Sequence, residues 1–216
     1  MRVSKKHDVR LNEILDAAEL LFTQKGYDQT TVNDILDKVE IGKGTFYHYF
    51  KSKEDVMAGV IRRIADGLTE KAQVIAADST IGVQEKMKLI LSAVSLSGSP
   101  GEAVVEELHR PANAQMHQMS IVEAVRGVAP VMAGVVKQGV SEGVYHTPYP
   151  LETMEFLLAS NSFFFDDAVF QWKPEELASR VRACVRIIEL SLGAAEGSFH
   201  FLYDSLGPES GEGTAK

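Results

Sequence analysis

The stretch GKGTFYHYFKSKED, residues 42–55, combines four aromatic residues and three lysines with two glycines in a chain of formal net charge −8. On a helical wheel, three of the aromatic residues fall on one side, where they can pack into a core: Phe46, Tyr49 and Phe50. Gly44 and His48 mark the centre of the opposite side. A glycine inside an exposed helix costs about 1 kcal/mol relative to alanine. Its presence here favours a close approach of the helix backbone to a partner such as the DNA major groove.

The residues before this stretch predict two further helices. Apolar residues recur at three- and four-residue spacing over residues 11–22, and Gly26 lies where the end of a helix is expected. Thr31 is a predicted N-cap, with Asp34 three residues later, ahead of a short apolar stripe. The third helix is predicted over 43–50. Two short helices joined by a tight turn form a helix-turn-helix, whose second helix lies in the major groove.

The rest of the chain predicts an all-α fold, because no credible strand pattern is present. Ser52 is the predicted cap of a fourth helix that extends to about residue 76. Later helices are predicted at 83–97, 102–110, 112–127, 129–141, 151–170 and 174–193, with a short helix near 198–206. The glycine-rich end, residues 207–216, is predicted to be disordered.

The charges are distributed unevenly along the chain. Residues 1–53 carry nine Lys and Arg against eight Asp and Glu, whereas the remainder carries 13 against 22. This balance argues against a protein that coats nucleic acid indiscriminately, but it allows local phosphate contacts. Cys184 is the only cysteine, which excludes an internal disulfide and a zinc site built on several thiolates. No apolar run approaches the roughly 20 residues that a membrane span needs, so we expect a cytoplasmic protein without a membrane partner.

The run TTVNDILDKVEIGKGTFYHYFKSKEDV closely resembles the signature of the TetR family of bacterial transcriptional regulators, over residues 10–60. The resemblance implies a homodimeric regulator, which we expect to be a repressor, that binds double-stranded palindromic operator DNA and is released by a small effector. The candidate lining residues given below suit a largely apolar effector. It implies phosphate contacts from Thr31, Tyr47, His48 and Lys53, and base-edge contacts from Lys43, Gly44 and Thr45.

The chain departs from the family pattern in the turn of the helix-turn-helix. Val39 and Glu40 stand where many relatives have alanine and glycine, and Gly42 stands where they place a serine or threonine cap. Glu40 therefore needs either a left-handed backbone conformation or an altered turn. Gly42 is an acceptable N-cap, but it has no hydroxyl to offer to a phosphate.

The resemblance also organises the rest of the chain. It implies a DNA-binding domain over 1–51 and an effector-binding and dimerisation domain over 52–206. The candidate effector-lining residues are Met87, Leu91, His109, Met116, His117, Met119, Phe165 and Trp172. The candidates for the dimer surface, or for the core behind it, are Phe156, Leu157, Phe163, Phe164, Cys184, Ile187, Ile188 and Ser191.

Two other functions fit parts of the sequence. Glu106 and His109 form one Glu-x-x-His unit, the kind that a helical bundle uses twice to hold two metals, but the second unit is missing. The chain could also bind DNA without any small-molecule effector. We expect no cofactor, no metal and no catalytic residue, and therefore a regulator and not an enzyme.

Overall fold

The computed structural model describes residues 2–95, 102–110, 113–166 and 168–206, and in these ranges it contains ten helices and no strand, which confirms the all-α prediction. The helices are α1 (Arg2–Lys25), α2 (Val32–Val39), α3 (Lys43–Tyr49), α4 (Lys53–Ala77), α5 (Val83–Val94), α6 (Glu102–Leu108), α7 (Ala114–Ser141), α8 (Pro150–Phe164), α9 (Pro174–Leu192) and α10 (Phe201–Leu206).

The helices form two compact units that are discontinuous in sequence. The first unit contains α1, α2, α3, α4 up to Gly67, α6, and α7 up to Glu123. The second contains the remainder of α4 and α7 together with α5, α8, α9 and α10. The division at residue 51 that the sequence suggests stays a prediction about sequence modules, because the first unit also takes in α6 and the start of α7.

The core of the first unit joins the helix-turn-helix to its neighbours. Phe22 from α1, Ile35 from α2, Phe46 from α3 and Met57 from α4 are all fully buried in one apolar cluster. Leu108 of α6 belongs to the same cluster. Buried apolar side chains of this kind each contribute about 1.5–3 kcal/mol, so the short helices α2 and α3 depend on this packing for their stability.

The second unit buries several polar groups, and each of the following has a partner. Lys86 donates from Nζ to the carbonyl of Ala76 and to Gln138 Oε1, at 2.9 and 3.1 Å. Glu189 accepts the N–H groups of Gly197 and Phe199 at 2.8 and 3.3 Å. Such pairing is what allows charged groups to be buried without a large cost.

Two helix boundaries differ most from the sequence prediction. The break predicted at Pro130 is wrong, because α7 passes through this residue without interruption. Proline removes one helical hydrogen bond. Pro130 and Arg126 are both exposed, so the carbonyl of Arg126 that loses its donor can bind water, while buried Val128 and Met132 hold the helix in the core.

The predicted helix 151–170 is also too long, because α8 ends at Phe164. The Trp172 indole donates to the carbonyl of Phe164 at 2.8 Å, and Asp166 Oδ1 accepts the N–H of Ala168 at 2.8 Å. These side-chain partners replace helical hydrogen bonds and end the helix. Other ends move by a few residues, including that of α5 at Val94 and that of α6 at Leu108.

Helix α7 is 28 residues long and apolar enough, by length and composition, to cross a membrane. Its length and composition are weak evidence of a membrane span, because a core helix of a soluble protein passes the same test. Buried residues on α7 include Val128, Ala129, Met132 and Val136.

The predicted disordered tail, residues 207–216, lies outside the described residues.

Candidate nucleic-acid interface

Helix α2 begins with the capping arrangement that the sequence predicts. The Thr31 hydroxyl oxygen accepts the N–H of Asp34 at 3.2 Å, and Asp34 Oδ2 accepts the N–H of Thr31 at 2.7 Å. Lys25 donates to the same carboxylate at 2.7 Å. The Lys25 and Thr31 hydrogen bonds lower the pKa of Asp34 to about 2. The start of α2 is therefore fixed, and the exposed Thr31 side chain is held in one place.

The turn between α2 and α3 takes the first of the two forms considered for it. Glu40 adopts a left-handed backbone conformation, with φ 56° and ψ 47°, and its N–H bonds to the carbonyl of Leu36. Gly42 is the N-cap of α3 and provides no side-chain hydrogen bond. A left-handed conformation is strained for a residue with a side chain, so the turn keeps its shape at a cost.

Helix α3 has one buried side and one exposed side, as the helical wheel predicts. Phe46 is fully buried, whereas the exposed residues are Lys43, Gly44, Thr45, Tyr47 and His48. A Cβ placed on Gly44 would meet no atom within 4 Å. Since nothing in the chain crowds this position, the glycine is not required by internal packing. A cation, a hydroxyl and an open backbone therefore lie together on the free face of the second helix.

Lys53 begins α4 and is held by the corner between α1 and α2. Its ammonium donates to the carbonyl of Tyr27 at 2.7 Å and to that of Asp28 at 3.4 Å. It also lies 4.2 Å from the centroid of the Tyr27 ring. Burial, followed by the Glu54 and Asp28 carboxylates, raises the pKa of Tyr27 to about 12. Lys53 thus has structural partners, and its phosphate contact stays a prediction.

Two residues that contact the helix-turn-helix or the end of α1 were missed by the sequence reasoning. The His7 ring lies 4.6 Å from that of Tyr49 and 5.9 Å from that of His48, so the start of α1 reaches α3. Glu107 of α6 accepts the N–H of Tyr27 at 2.9 Å. Neither residue has a motif that identifies it, because both contacts join segments that are distant in sequence.

The candidate effector-lining residues belong to both units. Four of them lie in the first unit: His109, Met116, His117 and Met119. The His109 and His117 rings are 4.7 Å apart, and Met116 packs against the core of the helix-turn-helix. The other four lie in the second unit: Met87, Leu91, Phe165 and Trp172. Their role as an effector site stays a prediction. The side chain of Glu106, which belongs to the alternative hypothesis of a metal enzyme, lies outside the described residues.

The candidate dimer residues on α8 and α9 fall into two groups. Phe156 is 69% exposed, and Phe163 and Ile187 are each 53% exposed, as is expected of an uncovered apolar surface. Leu190, which the sequence reasoning missed, is 64% exposed. Of the remaining candidates, Phe164 and Ser191 are exposed, and Ile188 is half-buried.

Leu157 and Cys184 do not belong to the uncovered surface. Leu157 is 4% exposed and belongs to the core behind it. The Cys184 thiol is half-buried and donates to Asn161 Oδ1 at 2.7 Å, and burial raises its pKa. This contact links α9 to α8. The remaining exposed residues stay a prediction of where a second subunit would bind.

A short capped helix, a tight turn and a second helix with an exposed basic face define a helix-turn-helix DNA-binding protein. Residues 14–60 match the model of bacterial regulatory proteins of the tetR family. Residues 98–187 match that of the tetracyclin repressor-like C-terminal domain.

The chain is similar to known regulators along most of its length. It is 31% identical over 147 residues to the HTH-type transcriptional repressor KstR2 of Rhodococcus jostii (strain RHA1), covering 66% of this chain and 71% of the relative. It is 28% identical over 173 residues to the fatty acid metabolism regulator protein of Bacillus subtilis (strain 168), covering 74% and 81%. The chain belongs to the TetR family, and it is a DNA-binding transcriptional regulator whose relatives include the repressor KstR2.

Solved structures support the same fold. SmeT, the repressor of the Stenotrophomonas maltophilia multidrug efflux pump SmeDEF, superposes with a TM-score of 0.57 at 19% identity, covering 88% of this chain and 92% of SmeT. A TetR/AcrR-family regulator from Thermobifida fusca YX-ER1 gives a TM-score of 0.56 at 24% identity, covering 85% and 96%. At these identities the likeness establishes the fold.

Proposed function

We propose that this protein is a ligand-responsive repressor that binds a palindromic operator as a homodimer. The observation that carries the proposal is the exposed face of α3, where Lys43, Gly44 and Thr45 lie free opposite the buried Phe46. Each subunit places α3 in a major groove. Two-fold symmetry then requires half-sites about one helical turn, roughly 34 Å, apart.

Each DNA-facing residue has a role that its position supports. Lys43 and Thr45 read base edges, and Gly44 lets the backbone approach them closely. The phosphate contacts come from Thr31, Tyr47, His48 and Lys53. Thr31 is positioned by its cap and Lys53 by the Tyr27 carbonyl, so both phosphate contacts depend on the corner between α1 and α2.

The second subunit covers the exposed apolar residues of α8 and α9. Phe156, Phe163, Ile187 and Leu190 are each more than half exposed in one chain. Large apolar side chains exposed on neighbouring helices mark an interaction surface. A two-fold axis places the same residues of both subunits against one another.

The effector is a small, largely apolar molecule that binds the part of the chain after α4. One relative is named for fatty acid metabolism and one similar structure is the repressor of a multidrug efflux pump, and both names fit an apolar inducer. The effector must bind more tightly to the state that cannot bind DNA than to the DNA-binding state, typically by about 1–3 kcal/mol. Helix α4 is the proposed lever, because it continues from the first unit into the second.

The protein acts in the cytoplasm, without cofactor, metal or catalytic residue. The alternative function is a regulator with no small-molecule effector. A helical metal enzyme that uses Glu106 and His109 is a weaker alternative, which metal analysis of the purified protein would detect.

The test is selection of genomic DNA fragments by the purified protein, followed by titration of a bound fragment with fatty acids of increasing chain length. We expect a palindromic fragment bound by two subunits, and release by at least one fatty acid. Lys43→Ala and Thr45→Ala should change the preferred sequence. Lys53→Ala should instead weaken binding to all sequences. It should also reduce the slope of log affinity against log salt concentration by about one unit. Binding as a single subunit would refute the proposal.

A further inference from the structure

The corner between α1 and α2 is closed by a side chain from α6, 80 residues further along the chain. Oε1 of Glu107 accepts the backbone N–H of Tyr27 at 2.9 Å, and the bond is buried. Glu107 itself is only 6% exposed. A buried carboxylate bound to a backbone N–H is a strong, charge-assisted hydrogen bond.

The N–H of Tyr27 needs such a partner because of the way α1 ends. Gly26 follows the last residue of α1 with φ +86°, and its N–H bonds to the carbonyl of Phe22. The chain then turns away from the helix, and Tyr27 is 7% exposed. A buried backbone N–H without an acceptor is destabilising. Glu107 therefore completes the end of α1.

Glu107 is held in place from its own side. Arg110 Nε lies 3.2 Å from Glu107 Oε2, and the Asn113 side chain donates to the Glu107 carbonyl at 2.8 Å. Asn113 is 3% exposed, and Leu108 next to Glu107 is part of the apolar cluster of the helix-turn-helix. The carboxylate is thus rigidly positioned, as a residue that orients another group must be.

Tyr27 connects this contact to the proposed DNA contacts. Its carbonyl accepts the Lys53 ammonium, and its ring packs against Phe22 at 5.2 Å between centroids. Thr31, the cap of α2, follows four residues later. A shift of the Tyr27 backbone would therefore move Thr31, which precedes α3, and Lys53, which follows it. Both are expected to bind phosphate.

We infer that Glu107 is a positioning residue for DNA binding, which fixes the corner between α1 and α2 through the Tyr27 N–H. The inference rests on the proposed function, since it concerns how the same DNA-binding surface is held in place. Glu107 lies in the segment that matches the C-terminal family model, whereas Tyr27 lies in the segment that matches the N-terminal one.

The test compares Glu107→Ala with Glu107→Gln in the full chain, using a DNA fragment selected by the unaltered protein. Glu107→Ala removes the acceptor, and we expect affinity for the fragment to fall about tenfold, the equivalent of about 1.4 kcal/mol. Hydrogen exchange of the Tyr27 amide should accelerate by at least about tenfold as well. Glu107→Gln keeps an acceptor oxygen and should restore most of both.

Glu189→Ala is the matched control. Glu189 is also a buried carboxylate that accepts backbone N–H groups and pairs with an arginine, Arg186, at 3.2 Å, but it lies in the second unit. This variant should lower the melting temperature about as much as Glu107→Ala. It should leave the Tyr27 amide protected and, at equal dimer content measured by ultracentrifugation, leave DNA affinity unchanged.

Equal DNA affinity and equal Tyr27 exchange in Glu107→Ala and the unaltered protein would overturn the inference. Should Glu107→Ala not fold, Arg110→Ala decides, because Arg110 is exposed and its loss leaves the core intact. We expect Arg110→Ala to accelerate Tyr27 exchange and weaken DNA binding about threefold, and no change in either would also overturn it. If the unaltered protein selected no DNA fragment, the proposed function would fail, while the exchange measurement would still test the contact.

Discussion

The free face of α3 and the exposed apolar residues of α8 and α9 are two surfaces that one isolated chain does not explain. On α3 the exposed groups are a cation, a hydroxyl and a bare glycine backbone; on α8 and α9 they are phenylalanine, isoleucine and leucine. The first set fits a polyanion with polar base edges, and the second fits another apolar surface. Each surface therefore has the chemistry that its own proposed partner requires, and the two surfaces can be tested separately.

The largest effect is expected from a charge placed on the apolar surface. Ile187→Asp would bury a carboxylate without a partner between two subunits, so the dimer should weaken by about a hundredfold or more. Operator affinity should fall with it, because each subunit alone reaches only one half-site. Val74→Asp on α4 is the control, since Val74 is 74% exposed and lies outside this surface. Sedimentation that shows an intact Ile187→Asp dimer would contradict the interface.

Gly44→Ala should raise the stability of the protein and lower its operator affinity. The new methyl group meets no atom of the chain, so the free energy of unfolding should rise by about 1 kcal/mol. The same methyl group would hold the helix away from the base edges, and operator affinity should fall about tenfold. Urea denaturation and DNA titration measure the two quantities. Unchanged operator affinity would show that Gly44 does not face the groove.

Glu40 tests how much the turn before α3 costs. Glu40→Gly relieves the left-handed backbone and should stabilise the protein by about 1 kcal/mol. Glu40→Gln keeps the strain and removes only the charge, so its stability should stay within about 0.5 kcal/mol of the unaltered protein. If both variants gained the same stability over the unaltered protein, the charge of Glu40, and not its backbone conformation, would account for that gain.

The last prediction concerns high pH and compares one tyrosine from each of the two units. Burial raises the pKa of Tyr145 in the second unit to about 12, and burial with nearby carboxylates does the same for Tyr27 in the first. The unfolded tyrosines ionise near pH 10 while the folded ones stay protonated. The stability that each tyrosine contributes is therefore complete below pH 10 and is lost as the pH rises from 10 to 12.

Tyr145→Phe removes one of these two titrations. It also removes the hydrogen bond to Gln84, so it should cost about 1 kcal/mol at neutral pH. Between pH 10 and 12 the variant should lose less stability than the unaltered protein, as measured by urea denaturation at each pH. A parallel loss in both proteins would mean that Tyr145 ionises normally in the folded state.

Local patterns predicted much of the helix-turn-helix. The cap at Thr31, the buried Phe46, the exposed Lys43 and the left-handed option at Glu40 each depend on a few neighbouring residues, and the structure has all of them. Pro130 shows where local rules fail, because the packing of buried neighbours outweighs the loss of one hydrogen bond.

The sequence by itself determined the helix-turn-helix and the residues on its free face, because helical periodicity and capping act over three or four residues. The resemblance of residues 10–60 to the TetR family indicated the class of protein. Only the tertiary structure decided that Glu107 completes the corner at Tyr27, that Lys53 is held by the same residue and that Leu157 is buried while Phe156 is exposed. These outcomes depend on contacts between distant segments. Folding sets such contacts through the packing of whole helices, and no local pattern encodes them.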